Sequence, residues 1–475
     1  MSAPTRTLIS NGTVVSATGA IPHDVLVEGE RVVALLAPGT AEATGITADT
    51  VIDASGCYVV PGGIDAHTHM EMPFGGTQAS DTFSTGTRAA AHGGTTTIID
   101  FAVQTAGNDV RASLDTWYGK ADGNCAIDYS FHMIIGGVDD SSLKLMGDLV
   151  AEGITSFKLF MAYPGVFYSD DGQILRAMQR AAELGAMISM HAENGIAIDV
   201  LAEQAAARGE TSPVNHGLTR PARLEGEATF RAIQLALVAG APVYFVHLSS
   251  SEALEQVSRA RAEGHNVFAE TCPQYLYLTL EDHLDAQGED GFEGAKYVCS
   301  APLRSKHEHH GRDLWRGLRT NDLSIVATDH CPFCFKDQKE LGREDFRAIP
   351  NGIGGVEHRM DLIYQGVATG ELSLERWVET CSTTPARMFG LYPRKGVIAP
   401  GADADIVIYD PNDRTTISVE THHMNMDYSA YEGFQVAGGV RTVMSRGSVV
   451  VDRGTFSGRA GHGRFLPRGL SSYLR

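Results

Sequence analysis

Two histidines separated by one residue follow the first long apolar run of the sequence. His67 and His69 stand in the segment Asp65-Ala66-His67-Thr68-His69. Residues two apart in an extended chain point to the same side, so both imidazoles can face one metal ion at the end of a strand. A single histidine is more often a core or surface residue than a ligand, so the pair requires further ligands elsewhere in the chain.

Metal-competent side chains also stand at the ends of later apolar runs. Lys158 lies in the fourth run, His191 ends the fifth, His247 ends the sixth and Asp329 follows the eighth. If the runs are parallel strands of one closed sheet, their carboxyl ends meet at one rim. We therefore expect these side chains to converge with the histidine pair.

Lys158 is the unusual member of this set because it lies inside the run Phe157-Lys158-Leu159-Phe160. Burial of an isolated ammonium group is costly, so the group must be neutralised, paired or modified. If desolvation lowers its pKa, the free amine can react with carbon dioxide and form a carbamate, whose two oxygens can bridge two cations. A lysine that reaches water at the barrel rim is the simpler alternative.

Together these groups predict a binuclear metal site with hydrolytic chemistry. Four imidazoles, one carboxylate and one bridging oxyanion can hold two divalent ions. Zn²⁺ suits this ligation best, and Mn²⁺, Co²⁺ and Fe²⁺ are alternatives. Two cations lower the pKa of the water between them, so a hydroxide is available at neutral pH to attack an amide carbonyl. Asp329 can accept the proton of that water and pass it to the leaving nitrogen.

Eight apolar runs alternate with amphipathic segments in the middle of the chain, which is typical of α/β proteins with a parallel sheet. The runs cover residues 58–66, 95–101, 129–135, 156–160, 186–191, 243–247, 266–270 and 324–328. Eight such strands predict a (β/α)₈ TIM barrel with its active site at the carboxyl ends of the strands. An open, doubly wound parallel sheet is the alternative that the pattern leaves.

The two ends of the chain contain short strands broken by turn signals such as Asn11-Gly12. Two or three strands at one end cannot bury a core alone, so we expect both ends to form one small β-domain. The predicted domains are residues 1–57 plus 395–475 for this discontinuous β-domain and residues 58–394 for the catalytic barrel.

Composition excludes several classes of function. The 475 residues are 43% hydrophobic, which is enough for a large core, and the net charge of −20 argues against nucleic acid as a partner. No apolar run reaches the roughly 18 residues that span a bilayer. Residues 1–6 lack the features of a secretory signal, and the seven scattered cysteines show no disulfide framework. We therefore expect a cytoplasmic protein with no membrane partner.

Six motifs of the chain resemble those of the D-hydantoinase/dihydropyrimidinase family of cyclic amidohydrolases. In chain order they are Asp65-Ala66-His67-Thr68-His69, Ser156-Phe157-Lys158-Leu159-Phe160-Met161-Ala162-Tyr163, His191-Ala192-Glu193-Asn194, Val246-His247-Leu248-Ser249, Thr328-Asp329-His330-Cys331-Pro332 and Pro350-Asn351-Gly352-Ile353-Gly354-Gly355. The resemblance covers nearly the whole chain. It implies a TIM barrel, a β-sandwich made from both termini and a homotetramer or dimer.

The resemblance also implies roles for the predicted ligands. One metal ion, the more buried, belongs to His67, His69 and Asp329. The other belongs to His191 and His247, and carboxylated Lys158 bridges the two. The substrate class that it implies is cyclic ureides, chiefly 5-substituted hydantoins and 5,6-dihydropyrimidines, which are opened to N-carbamoyl amino acids.

Three further residues match positions that hold the substrate in this family. Tyr163 lies five residues after Lys158 and matches the tyrosine that stabilises the oxyanion. Ser300 and Asn351 resemble positions whose backbone groups bind the ring imide. From sequence alone, ordinary loop residues would be the favoured interpretation of both.

The ring substituent is predicted from the segment after the histidine pair. Dihydroorotases carry an arginine there, which binds a carboxylate, whereas this chain has Met70-Glu71-Met72-Pro73-Phe74. We therefore expect an apolar or uncharged substituent lined by Met72, Phe74 and Phe160. Allantoinase or dihydroorotase activity remains an alternative, as does hydrolysis of acyclic amides. A non-catalytic hydantoinase-like scaffold protein, which would bind no metal, is the alternative from another class.

Overall fold

The structure is a computed structural model that describes residues 4–105 and 107–474. Residues 1–3 and 475, which belong to the predicted β-domain, lie outside this part of the chain. The prediction that residues 1–6 lack a secretory signal falls partly on these residues, because residues 1–3 are outside the described part of the chain. The domain bounds themselves stay a prediction.

An eight-stranded parallel sheet forms the centre of the molecule, with its strands in sequential order. The strands are Gly63–Thr68, Thr95–Val103, Asp128–Ile134, Ser156–Phe160, Met187–His191, Val243–Phe245, Val267–Thr271 and Ile325–Val326. The sheet closes on itself because Thr68 forms a parallel bridge with His330, and the amide of His69 donates to the carbonyl of His330 over 2.8 Å. This closure confirms the TIM barrel and excludes the open sheet.

The first predicted strand, residues 58–66, is wrong as a single element. Tyr58–Pro61 pairs with Ile406–Thr416 of the β-domain, and the barrel strand begins only at Gly63. The change of partner occurs at one step, because the amide of Gly62 donates to Asp405 whereas that of Gly63 donates to Gly94. A Cβ on Gly62 would lie 2.1 Å from Oγ1 of Thr96, so only glycine fits this crossing.

Helices cover the outside of the barrel, as the amphipathic segments predicted. The longer ones are Phe83–His92, Val110–Ala121, Asp140–Ala151, Asp171–Leu184, Gly195–Ala207, Ala222–Ala239, Ser251–Ala262, His310–Thr320 and Arg359–Ala368. Helix Asp171–Leu184 shows why they form where they do. The Asp170 side chain accepts from the amide of Gln173 at its start, and Gly185 ends it in a left-handed conformation.

Strands from both chain ends form two further sheets. The four-stranded sheet contains Arg6–Ser10, Asp24–Glu28, Arg31–Leu36 and Thr50–Asp53. The seven-stranded sheet contains Thr13–Ser16, Gly19–Pro22, Tyr58–Pro61, Ile406–Thr416, Gln435–Ser445, Ser448–Asp452 and Thr455–Phe456. Ile9, Val25, Val59 and Ile406 meet in a hydrophobic core between the two sheets, separate from that of the barrel. The β-rich domain is therefore built from both ends of the chain.

Buried charges join the β-rich domain to the barrel. Lys395 is 1% exposed, and its ammonium lies 2.7 Å from Oδ2 of Asp128, the first residue of the third barrel strand. Arg446 binds the same carboxylate at 3.0 Å. Near the carboxyl end of the chain, Arg468 donates to Oγ of Ser130 over 3.0 Å, so this tail packs against the barrel.

Shorter elements occupy the connections. They are the strands Pro73–Phe74 and Thr77–Gln78 and the helical turns Thr40–Thr44, Asn215–Leu218, Pro273–Tyr277, Leu280–Leu284, Glu293–Tyr297, Lys339–Gly342, Phe346–Ala348, Leu374–Val378, Glu379–Thr383 and Thr384–Met388. Within residues 4–105 and 107–474, no helix is both long and apolar enough to span a bilayer.

Candidate active site

Three predicted ligands converge at the carboxyl end of the barrel. Nε2 of His67 lies 3.0 Å from Oδ1 of Asp329 and 3.1 Å from Nε2 of His69. Nε2 of His69 lies 3.2 Å from the same carboxylate oxygen. All three side chains are buried, and their ligand atoms lie within 4.8 Å of one another. Two imidazoles and a carboxylate at this spacing can hold one divalent metal ion.

The other three predicted ligands adjoin this cluster. Nζ of Lys158 lies 3.1 Å from Nε2 of His67. The rings of His191 and His247 have centroids 4.5 Å apart, and the His247 ring lies 5.5 Å from that of His67. The structure thus brings all six side chains together around one cavity, although they come from five different strand ends.

The surroundings of Lys158 are largely apolar. The residue is 1% exposed, and its ammonium lies 4.3 Å from the ring centre of Phe101 and 5.0 Å from that of Phe160. Burial lowers the pKa of Lys158 to about 8. The neutral amine, which carbamate formation needs, is therefore a much larger fraction of Lys158 at neutral pH than of an exposed lysine.

Three site residues adopt left-handed backbone conformations just past their strands. The φ angles are 61° at Tyr163, 40° at His247 and 51° at Asp329. Such angles are unfavourable for residues with a Cβ and tend to occur at functional sites, where the surrounding structure holds them. Here the chain leaves the sheet at these positions, and the side chains line the cavity.

Glu270 orients ligands of both predicted metal positions, and the sequence reasoning missed it. The residue is fully buried; its Oε1 contacts Nδ1 of His67 and accepts from the amide of His247 over 3.1 Å. Oε2 accepts from the hydroxyl of Tyr244 over 2.6 Å. A carboxylate on Nδ1 fixes the imidazole tautomer so that Nε2 faces the metal position. The available signal was its place at the end of the seventh apolar run.

Two further carboxylates shape the mouth of the first barrel strand. Oδ2 of Asp65 accepts from Oγ1 of Thr328 over 2.6 Å, which joins the first and last barrel strands. Oδ2 of Asp100 accepts from Oγ1 of Thr68 and from the amide of Met70 over 2.7 and 2.8 Å, which holds the segment around His69. Burial raises the pKa of Asp100 to about 7.

Glu193 bonds to His191 and was also missed. Its Oε2 lies 2.7 Å from Nε2 of His191, and both side chains are buried. Burial alone would raise the pKa of Glu193, but the bond to His191 outweighs it and the pKa is lowered. This contact leaves Nδ1 of His191 as the nitrogen free to bind a metal. The two-residue spacing in His191-Ala192-Glu193 was the signal available in the sequence.

The two predicted catalytic groups have shifted pKa values. Burial alone would raise the pKa of Asp329, but the neighbouring His67, His69 and His247 outweigh it and hold the pKa well below its usual range. Burial raises the pKa of Tyr163, so its hydroxyl stays protonated and can donate a hydrogen bond at neutral pH.

The predicted substrate-binding residues line the same cavity as the metal ligands. They are Met72, Phe74, Phe160, Tyr163, Ser300 and Asn351. Nδ2 of Asn351 donates to Oγ of Ser300 over 3.1 Å, so the two loops meet. The ring of Phe74 packs edge-on against Tyr163 with centroids 5.5 Å apart. Phe167, which was not predicted, stacks on Phe160 at 5.0 Å and adds to the aromatic wall.

Comparisons with known proteins identify the family of the chain. The profile of the amidohydrolase family matches residues 58–450. The chain is 64% identical to a D-hydantoinase of Streptomyces coelicolor over 469 residues, 99% of both chains. It is 47% identical to a D-hydantoinase of Geobacillus stearothermophilus over 463 residues, covering 97% of this chain and 96% of that one.

A solved structure gives the same result. The crystal structure of dihydropyrimidinase from Brevibacillus agri superposes with a TM-score of 0.94 at 48% identity, covering 98% of this chain and 99% of that one. Fold, metal cluster and similarity along almost the entire chain agree. The chain belongs to the amidohydrolase family, within its D-hydantoinase/dihydropyrimidinase group of cyclic amidohydrolases.

Proposed function

We propose that the protein hydrolyses the cyclic amide bond of 5-substituted hydantoins, of 5,6-dihydropyrimidines, or of both, to give N-carbamoyl amino acids. Water adds across the ring C–N bond, so the carbonyl becomes a carboxylate and the nitrogen leaves as the NH₂ of a carbamoyl group. The observation that carries this proposal is the buried cluster of His67, His69 and Asp329, because His69 and Asp329 line a cavity that Ser300 and Asn351 also line. The names of the relatives support the substrate class.

The residues present fit two divalent metal ions, which we propose to be Zn²⁺, with Mn²⁺, Co²⁺ or Fe²⁺ as alternatives. One ion would be held by His67, His69 and Asp329, and the other by His191 and His247. His69 supports this assignment, because its Nε2 lies 3.1 Å from Nε2 of His67 and 3.2 Å from Oδ1 of Asp329, so the three ligand atoms face one point. When bound, the two ions lower the pKa of water and polarise the carbonyl that is attacked.

N6-carboxylated Lys158 is proposed as the bridge between the two positions. Three observations support it: the side chain is buried, it adjoins Nε2 of His67, and its pKa is about 8 because of burial. A carbamate would replace an ammonium group, whose positive charge repels cations, by an anion that binds them. Carboxylation would therefore convert the Lys158 ammonium, which cannot bind a metal ion, into a metal ligand.

Asp329 and Tyr163 are proposed to act on the reacting atoms. A carboxylate whose pKa is held low is ionised at neutral pH, so Asp329 can take a proton from the attacking water and pass it to the leaving nitrogen. The protonated hydroxyl of Tyr163 can donate to the oxyanion as it develops. Both residues line the cavity, at positions where the backbone leaves the barrel.

Substrate contacts are proposed for two parts of the cavity. Backbone groups of Ser300 and Asn351 bind the ring imide, and the Tyr163 hydroxyl adjoins the carbonyl. Met72, Phe74 and Phe160 contact the substituent at ring position five. These three side chains are apolar and themselves offer no cation to a carboxylate on the substituent.

A homo-oligomer, either a tetramer or a dimer, is proposed for the assembled protein, together with a cytoplasmic location. Ile196, Val200, Phe230 and Val238 are large apolar side chains, each about half exposed or more, on helices Gly195–Ala207 and Ala222–Ala239. Ile196 and Val200 are four residues apart and so lie on one face of their helix, and exposed apolar faces of this kind occur at protein–protein interfaces. Sedimentation of the purified chain measures the oligomeric state directly.

The decisive experiment compares substrates on metal-reconstituted protein with bicarbonate added. Dihydrouracil, 5-phenylhydantoin, allantoin, dihydroorotate and an N-acyl amino acid are assayed side by side, and bound metal is counted by elemental analysis. Turnover of the first two, with two metals per chain, is expected. A clear preference for dihydroorotate, allantoin or the acyclic amide would contradict the proposed substrate class. A chain that binds no metal would contradict enzymatic function itself.

A further inference from the structure

Lys339 is a buried lysine that the proposed mechanism does not use. Its exposed fraction is 0%, and its ammonium donates to three backbone carbonyls: Val298 over 2.8 Å, Pro350 over 2.7 Å and Gly352 over 2.8 Å. Burial lowers the pKa of Lys339 to about 7; in its protonated form the side chain has three N–H groups, one for each carbonyl. The side chain thus joins two loops that are about fifty residues apart in sequence.

These carbonyls belong to the loops that carry the proposed imide-binding residues. Pro350 and Gly352 are the two neighbours of Asn351, and Val298 precedes Ser300 by two residues. The amide of Gly352 also donates to the carbonyl of Val298 over 3.0 Å, so the two loops are bonded directly as well. Any movement of the Lys339 ammonium would therefore change the spacing between the backbones of Ser300 and Asn351.

The bonding of Lys339 differs from that of an ordinary buried ion pair. Within the described ranges 4–105 and 107–474, no carboxylate lies at salt-bridge distance from its ammonium, whereas buried Lys395 has three such partners. A buried cation without a counterion is unfavourable unless its hydrogen bonds compensate. All of those hydrogen bonds go to the two loops, so the side chain of Lys339 holds the loops together.

We propose that Lys339 is a positioning residue for substrate binding, which holds the backbones of Ser300 and Asn351 at the spacing that one ring imide requires. This inference rests on the proposed function, in which those two backbones bind the ring. Lys339 touches no metal ligand among its hydrogen-bond partners. Its loss should therefore weaken binding of the ring and leave metal binding intact.

The preceding residue provides an internal contrast. Nε2 of Gln338 donates to Oγ1 of Thr77 and to the carbonyl of Gln78, over 2.9 and 2.7 Å. Both acceptors belong to the hairpin that carries Phe74, the proposed contact for the ring substituent. Adjacent side chains thus fix two different walls of one cavity, the ring wall by Lys339 and the substituent wall by Gln338.

The test is a series of substitutions at position 339. Lys339→Met removes all donors at similar length, Lys339→Gln restores two, and Lys339→Arg restores a cation. Because the lost contacts act equally on bound substrate and transition state, KM should rise about tenfold in Lys339→Met while kcat changes little. Lys339→Gln and Lys339→Arg should show smaller increases. The increase in KM caused by Lys339→Met should be the same for unsubstituted hydantoin and for 5-phenylhydantoin. Gln338→Ala should instead change the ratio of the two KM values, because it affects only the contact with the phenyl substituent.

Arg376→Met is the matched structural control. Arg376 is also buried, and it donates to the carbonyls of Leu318 and Leu323 over 2.7 Å each, outside the cavity. Its loss should lower Tm and leave KM unchanged. If Lys339→Met behaves in the same way, or if it loses bound metal as KM rises, the proposal is overturned. If Lys339→Met does not fold, a wild-type KM in both Lys339→Gln and Lys339→Arg overturns it equally. A wild-type protein inactive on all cyclic ureides would instead contradict the proposed function.

Discussion

Glu270→Gln is expected to weaken metal binding although all six proposed metal ligands remain in place. Gln has nearly the same shape as Glu but lacks its carboxylate. In the wild-type protein this carboxylate fixes the tautomer of His67 and accepts a hydrogen bond from the amide of His247. The NH₂ of Gln would also face a donor, either the Tyr244 hydroxyl or the His247 amide. Removal of a carboxylate that orients a metal-bound histidine typically costs 10–100-fold in metal affinity. That range corresponds to about 1.4 to 2.7 kcal/mol.

Metal competition measures this effect directly. Wild-type and variant proteins are equilibrated with Zn²⁺ and a chelator of known affinity, and the bound metal is determined after the chelator is removed. The control is Glu225→Gln, because Glu225 is another buried carboxylate with several bonds, from the amide and hydroxyl of Ser249 and from Arg304. Both variants should lose thermal stability, but only Glu270→Gln should lose metal affinity.

The orientation argument has a clear contrary outcome. Wild-type affinity for both metals in Glu270→Gln would contradict the role of Glu270 in orienting His67. An equal loss of affinity in Glu225→Gln would show that burial of a carboxylate, rather than its contact with His67, is responsible. Since Glu270 contacts ligands of both predicted positions, the two metals should also weaken together. Selective loss of one metal would show that the two positions are not coupled through this residue.

Three further outcomes follow from the structure. Lys158→Ala should lose the metal pair and most activity, with partial recovery in added short-chain carboxylic acids; full activity without them would contradict the carbamate. Because burial lowers the pKa of Lys158 to about 8, its neutral fraction rises with pH through that value. Carbamate formation in metal-free protein, followed by ¹³C NMR at constant carbon dioxide concentration, should therefore increase from pH 6 to pH 9, and a flat profile would disagree. Lys395→Met removes the ammonium from buried Asp128, Asp403 and Asp405. The free energy of unfolding, measured with denaturant, should therefore fall by about 3 to 5 kcal/mol, while KM stays unchanged.

Much of the fold follows from hydrophobic periodicity. Continuous apolar runs predicted the barrel strands because a parallel sheet covered by helices buries both faces of each strand. The same reasoning failed at residues 58–66, where one apolar run serves two sheets. Tyr58–Pro61 is as apolar as the strand after it, and only the change of hydrogen-bond partners at Gly62 separates them. Periodicity describes burial, and it does not specify which sheet a strand joins.

The chemistry of the site was easier to predict than the groups that orient it. His67 and His69 stand two residues apart at one strand end, and Asp329 follows another strand. Glu270, in contrast, could be recognised only through its contact with His67, some two hundred residues away. Lys339 lies on a segment without strand or long helix, and its three acceptors are backbone carbonyls, which carry no residue-type signal. Contacts of this kind depend on tertiary structure, so a single sequence cannot reveal them.

The proposed metal ligands and the proposed contacts for the ring substituent lie on different parts of the molecule. The metal ligands stand at the ends of strands in a closed sheet, where neighbouring strands fix each backbone on both sides. The substituent wall is formed by Met72 and Phe74, next to and within a two-stranded hairpin, and by Phe160 at the end of its strand. Hairpins and loops can change sequence and shape at small cost to the barrel. Selectivity for the ring substituent can therefore change through these contacts while the metal cluster and its hydrolytic chemistry stay the same.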